Sequence, residues 1–537
     1  MKRRAPLVLL SLLIVISLLA GCGGAPAPAT PTSAPAPTAA EAATAVPANT
    51  PAVSTGPKIL RIRVRADIQN LDPAYRISGV DEEVSLALFS NLVQFAPNSY
   101  DIVNDLAESI KQSDDGLTVS FKLKEGVMWP KGYGEVTADD VKYSFERIAN
   151  PENKSPYADD WAVLDHVEVT GKYTGKIILK KPFAPLWRST LPGTSGFIVC
   201  KKYVEEVGPE KFATNPLGTG PYVLAEWKPK EEIILKRNQE YFGQRPVWDE
   251  IHLIPIEDAK TAEVALEAGD VSFSEIDPTS VDRFENNPDY VLFSRPTLTY
   301  SWIGMNVENP KLKDINVRQA IRYAIDVPSI IKATYMDRAE QAYGLIAPGL
   351  TGYWKDAPHY QRDVAKAKEY MAKAGLQTLD LRMDIQDTVE YRTWAEIAQQ
   401  NLKEIGINLQ VNPMDSASFW SIGEGDKGKD VELFSMMYTM QPDPSWATMW
   451  FTCNQIGVWN WMRWCNSEFD DLHMKGLATT DEAEREAIYI QMQKLWDEAV
   501  HSIWITHGTL WLAHTHDIKP ATTPHGVLQI EYFEPAS

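Results

Sequence analysis

Residues 379–412 read LDLRMDIQDTVEYRTWAEIAQQNLKEIGINLQVN, and the period of the apolar positions changes twice along them. Leu379, Leu381, Met383 and Ile385 alternate with polar residues, the period of two expected of a strand. Trp394, Ile397, Ala398, Leu402 and Ile405 then recur on one helical face, and Gly406 ends that run. Alternation resumes with Ile407, Leu409 and Val411. A strand, a helix and a second strand in this order predict a βαβ crossover, and so a body with parallel pairing somewhere in its sheets.

The flanking sequence adds elements of both kinds. After the Asp114-Asp115-Gly116 turn, Leu117, Val119, Phe121 and Leu123 alternate with polar residues, as in a half-buried antiparallel strand. Thr137 followed by Asp140 predicts a capping box, with Val141, Phe145 and Ile148 on the buried face of the helix. Val317, Ala320, Ile321, Ala324 and Ile325 follow amphipathic spacing. A last long helix is expected from about Asp481, with Glu484 as capping partner and Ile488, Met492, Leu495, Trp496 and Ala499 inward. The fold class is mixed α/β, with no short-period repeat.

At 537 residues the chain is too long for one core, and 44% hydrophobic with 23% charged residues is an ordinary globular balance. Its 72 acidic against 52 basic residues give a net charge of −20, which leaves no basic field for a phosphate backbone and argues against nucleic acid as a partner. The N-terminus carries Lys2, Arg3 and Arg4, a 13-residue apolar run from Leu7 to Leu19, and then Leu19-Ala20-Gly21-Cys22. The run is shorter than the roughly 20 residues that span a bilayer, so residues 1–21 read as a secretory leader. The Leu-Ala-Gly-Cys ending resembles a bacterial lipoprotein box, which implies lipidation at Cys22 after cleavage.

Residues 22–57 follow with eight Pro, twelve Ala and six Thr and one charge, Glu41. They have little apolar surface to bury and read as a disordered tether. Three cysteines then remain, enough for one internal disulfide. Cys453 and Cys465 stand twelve positions apart in a Trp-rich stretch and are the expected pair, whereas Cys200 follows an apolar run and reads as a buried thiol rather than a nucleophile.

Catalytic motifs are missing: there is no G-x-S-x-G, H-E-x-x-H, C-x-x-C or Walker loop, and Gly218-Thr219-Gly220 lacks a dinucleotide fingerprint's third glycine. Asp139-Asp140 and Asp470-Asp471 suit helix N-termini better than acid–base work. His514 and His516 would share a strand face but have no evident third ligand, so neither metal nor cofactor is expected. Trp446, Trp450, Trp459, Trp461 and Trp464 fall within 19 residues that lack a sustained period. Flat rings there suit either a core or a ligand surface.

Several ordered motifs now carry a resemblance: Leu71-Asp72-Pro73, AESIKQSDDGLTVSFKLKEGV from Ala107, TADDVKYSFERI from Thr137, NPLGTGPYVL from Asn215, VRQAIRYAID from Val317, NLKEIGINLQV from Asn401 and WCNSEFDDL from Trp464. In this order they resemble family 5 extracellular solute-binding proteins, the dipeptide- and oligopeptide-binding lipoproteins of ABC importers, across residues 58–537. The resemblance implies a two-lobed periplasmic-binding-protein fold (type II, cluster C) with an extra inserted domain. Lobe I would comprise 58–80, 190–298 and 510–537, the inserted domain 81–189, and lobe II 299–509. It also implies a Cys453–Cys465 loop disulfide, a monomer without enzymatic activity, permease subunits as partners, and a location outside the cytoplasm on a lipid anchor.

The ligand implied is a peptide closed between the lobes. In peptide-binding relatives an acid four positions before the Pro of the segment resembling Met440-Gln441-Pro442-Asp443-Pro444 holds the α-ammonium, and here that position is Met440. Asp443 or another acid would have to substitute, since a buried ammonium needs a charge partner. Arg392 is a carboxylate-binding candidate that sits off-register. The missing acid and the extra Trp keep oligosaccharide as the alternative ligand, and a surface-anchored hydrolase as a second alternative. The expected cleft residues are Trp302, Met437, Tyr438, Met440, Trp446 and Trp459.

Overall fold

The computed structural model describes residues 57–536. The leader, the Cys22 lipidation site and all of the tether except Pro57 lie outside the described residues. Residues 379–412 form the βαβ unit: strand Leu379–Gln386, helix Val389–Lys403 and strand Ile407–Met414, with the two strands parallel and paired from Leu379↔Ile407 to Gln386↔Met414. The helix starts at Thr388, whose side chain accepts from Tyr391 N–H, and buries Trp394, Ala398 and Leu402 completely. Leu402 and Met383 contribute about 2 kcal/mol apiece by leaving water. Gly406 turns the chain at φ +85°, where a Cβ would meet the Gln377 carbonyl oxygen at 2.3 Å.

This unit belongs to a five-stranded sheet in the order Ile407–Met414, Leu379–Gln386, Leu433–Thr439, Thr299–Met305, Ser502–Thr506. A seven-stranded sheet runs in the order Tyr222–Lys228, Glu232–Arg237, Glu250–Pro255, Ile59–Val64, Phe273–Ile276, Thr509–Thr515, Tyr290–Pro296. A four-stranded sheet contains Ala107–Gln112, Thr118–Leu123, Thr174–Leu179 and Leu164–Val169, all antiparallel. Within it Val119, Phe121 and Leu123 are buried, as their alternation predicts, while Leu117 lies one residue before the strand.

The chain passes between the two larger sheets twice. Strand Tyr290–Pro296 of the seven-stranded sheet leads through Thr297 and Leu298 into Thr299–Met305 of the five-stranded one, and Ser502–Thr506 returns through His507 and Gly508 into Thr509–Thr515.

The predicted helices are present. Helix Ala138–Ala149 begins at Thr137, whose N–H donates to Asp140 Oδ2 at 2.9 Å. Asp140 also accepts from Lys201 N–H and Trp129 Nε1, which gives it a structural task. Helix Ile315–Ala324 buries Val317, Ala320, Ile321 and Ala324, with Ile325 as its C-cap. Helix Glu482–Ala499 is capped by Asp481, but its inward face also carries Arg485, Tyr489 and Gln493, while Leu495 and Ala499 are only half-buried. Those polar insertions satisfy partners on other elements, which periodicity cannot register.

Candidate ligand cleft

Between the bodies built on the two larger sheets lies a cavity of about 440 Å³, inside the roughly 300–1,000 Å³ range of small-molecule sites. Helix Gly79–Leu88 presents Glu82, Glu83 and Leu86 to it. This helix is held by a capping box in which Asp81 N–H donates to Ser78 Oγ and Ser78 N–H donates back to Asp81 Oδ2. A second wall is the wide turn at Leu186–Thr194, closed by an i→i+5 bond from Ser195 N–H to Thr190 O. The C-terminal segment supplies Thr523, His525, Gln529 and Glu531. From the five-stranded side come Thr297 to Thr299 and Thr439 to Pro442.

The charges are distributed unequally. Arg65, Glu82, Glu83 and Glu531 line the cavity from the seven-stranded side, whereas every residue offered by the 297–299 and 439–442 segments is uncharged. Glu82 has Arg76 at 3.7 Å. Burial pushes the Glu83 carboxyl up to about 7, opposed by the Arg65 guanidinium and the Leu528 amide. Burial with the nearby Asp105 pushes Glu531 up to about 8. His525 is lowered to about 4 by burial and is therefore neutral. Its Nε2–H donates to the Pro348 carbonyl at 3.2 Å, leaving Nδ1 to accept from Tyr100 O–H at 2.8 Å.

Residues 101–457 match the middle region of the bacterial extracellular solute-binding proteins, family 5. The chain belongs to this family. Its members are substrate-binding transport proteins found outside the cytoplasm, and the two-lobed type II fold is theirs. Among family 5 relatives, the dipeptide-binding protein of Escherichia coli (strain K12) is 27% identical over 502 residues, which cover 88% of this chain and 93% of that protein. The structure of HbpA2 from Haemophilus parasuis superposes with a TM-score of 0.81 at 23% identity, covering 89% of this chain and all of that one. The ABC transporter substrate-binding protein CtaP of Listeria monocytogenes gives 0.79 at 25% identity, with 89% and 99% covered. No helix among the described residues is long and apolar enough to cross a membrane.

Of the six residues expected in the family 5 cleft, Met440 alone lines this cavity, buried to 1% exposure with its N–H bonded to Leu298 O. Trp302 is wholly buried instead, stacked on Tyr300 at 5.5 Å. Its strand turns that face toward the core beneath the sheet, so the expectation of a cleft role for Trp302 is corrected. Met437 is half-buried against the opposite face of the sheet, and Tyr438 donates its O–H to Trp459 O at 2.8 Å. Trp446 and Trp459 both flank Trp450, with ring centroids 6.1 and 5.6 Å from it, and Trp459 is 38% exposed. These aromatics form a cluster of their own, away from the cavity lining.

Asp443 is also engaged elsewhere: Arg485 Nη2 donates to both of its oxygens at 3.0 and 2.9 Å, and the pair is fully buried. Arg392 is exposed and paired with Asp387 at 2.5 Å. Cys453 and Cys465 form a disulfide, and Cys200 is a free buried thiol raised to about 11 by that burial. His514 bonds to Thr515 O and His516 to Pro288 O, and among the described residues no three metal-ligating side chains converge. The carboxylates Glu83 and Glu531 escaped sequence reading, since nothing local marks either one as facing a cavity.

Proposed function

We propose that this protein is the lipid-anchored substrate-binding component of an ABC importer, which captures a short peptide in the cleft and delivers it to membrane permease subunits. The observation that carries the reading is the cavity itself: it is walled from both bodies, and the two chain crossings beside it can act as a hinge. A ligand touching both walls would favour the closed arrangement by its differential affinity, and that arrangement is what a permease would read. A relative that is named a dipeptide-binding protein and aligns along 93% of its own length supports a peptide as the ligand class. Met440 is a ligand contact in this reading.

In the same reading residues 58–80, 190–298 and 510–537 form lobe I, 81–189 the inserted domain and 299–509 lobe II, and the protein works as a monomer. The leader and Cys22 supply the anchor at the outer face of the membrane. The aromatic cluster lies off the cavity, which weakens the case for an oligosaccharide. Native mass spectrometry of the full-length chain in mild detergent, followed by thermal shift with peptide and oligosaccharide pools, tests the reading. Ligand at 100 Kd should add about 2.7 kcal/mol of stability. A shift with sugars alone, or breakdown of the ligand, would overturn it.

A further inference from the structure

The two bodies also touch beside the cavity, at three places that the crossings do not supply. Ala184 N–H donates to Leu477 O at 2.8 Å, which joins the approach to the wide turn at Leu186–Thr194 to the last turn of helix Ser467–Ala478. Arg188, inside the wide turn, reaches the carboxylate of Glu482 at 3.4 Å, and Glu482 is the first residue of helix Glu482–Ala499. The other terminal nitrogen of Arg188 donates to Tyr100 O. The Tyr100 ring packs against the core that holds Phe469, Ile488 and Tyr489 and stacks on His525, whose Nε2–H donates to Pro348 O at 3.2 Å. Leu186, Leu191 and Leu528 belong instead to the core shared with the seven-stranded sheet. Each of these contacts therefore runs from the side of one core to the side of the other.

We infer that the wide turn and the short connection between helices Ser467–Ala478 and Glu482–Ala499 form a latch that holds the cleft shut in the ligand-free chain, with the Arg188–Glu482 pair as its breakable link. The inference rests on the hinge assigned above and adds a control to it. Any rotation of one body against the other has to stretch contacts made away from the crossings, and each of these is made between groups of the chain itself, so none depends on a ligand. Arg188 and Glu482 lie outside the cavity lining, and their side chains are 37% and 51% exposed, so the pair forms and breaks with little desolvation. An exposed pair of this kind shifts an equilibrium by up to roughly five-fold. That is small against the stability of the fold but decisive between two arrangements of nearly equal free energy. Ligand entry then waits on unlatching, and whatever competes for Arg188 or Glu482 favours the open form.

The test is a distance measurement by pulsed electron paramagnetic resonance on the full-length chain in detergent, freed of carried ligand by dialysis in mild urea and checked by native mass spectrometry. Spin labels are placed at Lys111→Cys in the four-stranded sheet and at Lys494→Cys on helix Glu482–Ala499, both exposed. The expected result is one dominant short distance in the otherwise wild-type chain. Arg188→Glu, which sets two carboxylates face to face, should raise the longer-distance population roughly five-fold at unchanged circular dichroism, and Arg188→Glu with Glu482→Arg should bring it back. Arg188→Gln should move it the same way by less, and decides the matter if Arg188→Glu does not fold. A ligand-free chain dominated by the longer distance, or a distribution that neither Arg188 variant changes, would overturn the latch while leaving ligand capture, which the thermal shifts test, intact. A shift that the charge-swapped variant fails to reverse would overturn the Arg188–Glu482 pair as its link.

Discussion

Thr297 Oγ1 donates a 2.6 Å hydrogen bond to the carbonyl oxygen of His507, which ties together the two stretches of chain that run between the larger sheets. Beside it Gly508 holds φ +76°, and a Cβ there would come within 2.8 Å of Thr297 Oγ1. The contact therefore sits where any bending of one body against the other has to occur.

Thr297→Val removes this bond and the one its Oγ1 accepts from Thr299 N–H, and should cost about 2 kcal/mol, roughly 1 for each. Gly508→Ala should cost about 1–3 kcal/mol through a strained backbone. Urea unfolding ranks the two, and ligand dissociation rates measured on both variants should rise if the crossings act as a hinge. Equal stability of Gly508→Ala and wild type would show that the crossing relaxes freely.

Arg485 and Asp443 are 1% and 0% exposed, so removing one partner strands a charge in the core. Arg485→Met and Asp443→Asn should each destabilise by about 3–5 kcal/mol. The double variant should lose less than the sum, because the stranded charge disappears. Additive losses in urea unfolding would mean that the pair is not coupled.

Glu83 and His525 should act on stability in opposite directions across overlapping windows, about 4.5 to 7 for the carboxyl and about 4 to 6.5 for the imidazole. Glu83 keeps its proton to about 7 when folded but releases it near 4.5 when unfolded, so the folded state binds more protons in that window and ligand-free stability falls as pH rises through it. The drop is at most about 3 kcal/mol. His525, lowered from 6.5 to about 4, works the other way: its unfolded form takes up a proton first, and stability falls as pH drops from 6.5 toward 4. Arg65, Glu82 and Glu275 are the charged groups that act on Glu83. In urea midpoints from pH 4.5 to 8, Glu83→Gln should lose the fall that Glu83 contributes between about 4.5 and 7 while the parallel contributions of Glu531 and Asp105 remain, and a profile identical to wild type would contradict the raised carboxyl.

Gly406→Ala places a methyl group 2.3 Å from Gln377 O in a left-handed turn. It should cost about 1–3 kcal/mol, read as a lower urea midpoint with the denaturant slope unchanged. No loss would mean that the strand entering at Ile407 can shift without penalty.

What the sequence by itself determined was everything that repeats locally. The period changes across residues 379–412 specify a strand, a helix and a parallel strand, because each apolar face has to be buried by the element that carries it. The Thr137 and Asp481 helix starts are legible for the same reason, since a cap satisfies donors within three residues. The order of the motifs marks the family as well. Only the tertiary structure decided the site. Trp302 on a strand and Met440 just past the end of the neighbouring one look alike as apolar residues, yet Met440 reaches the cavity and Trp302 fills the core. Asp443 is silent about Arg485 until the chain folds. A carboxylate's role depends on which charges surround it, and those are brought by segments far apart in sequence, where no local period carries the information.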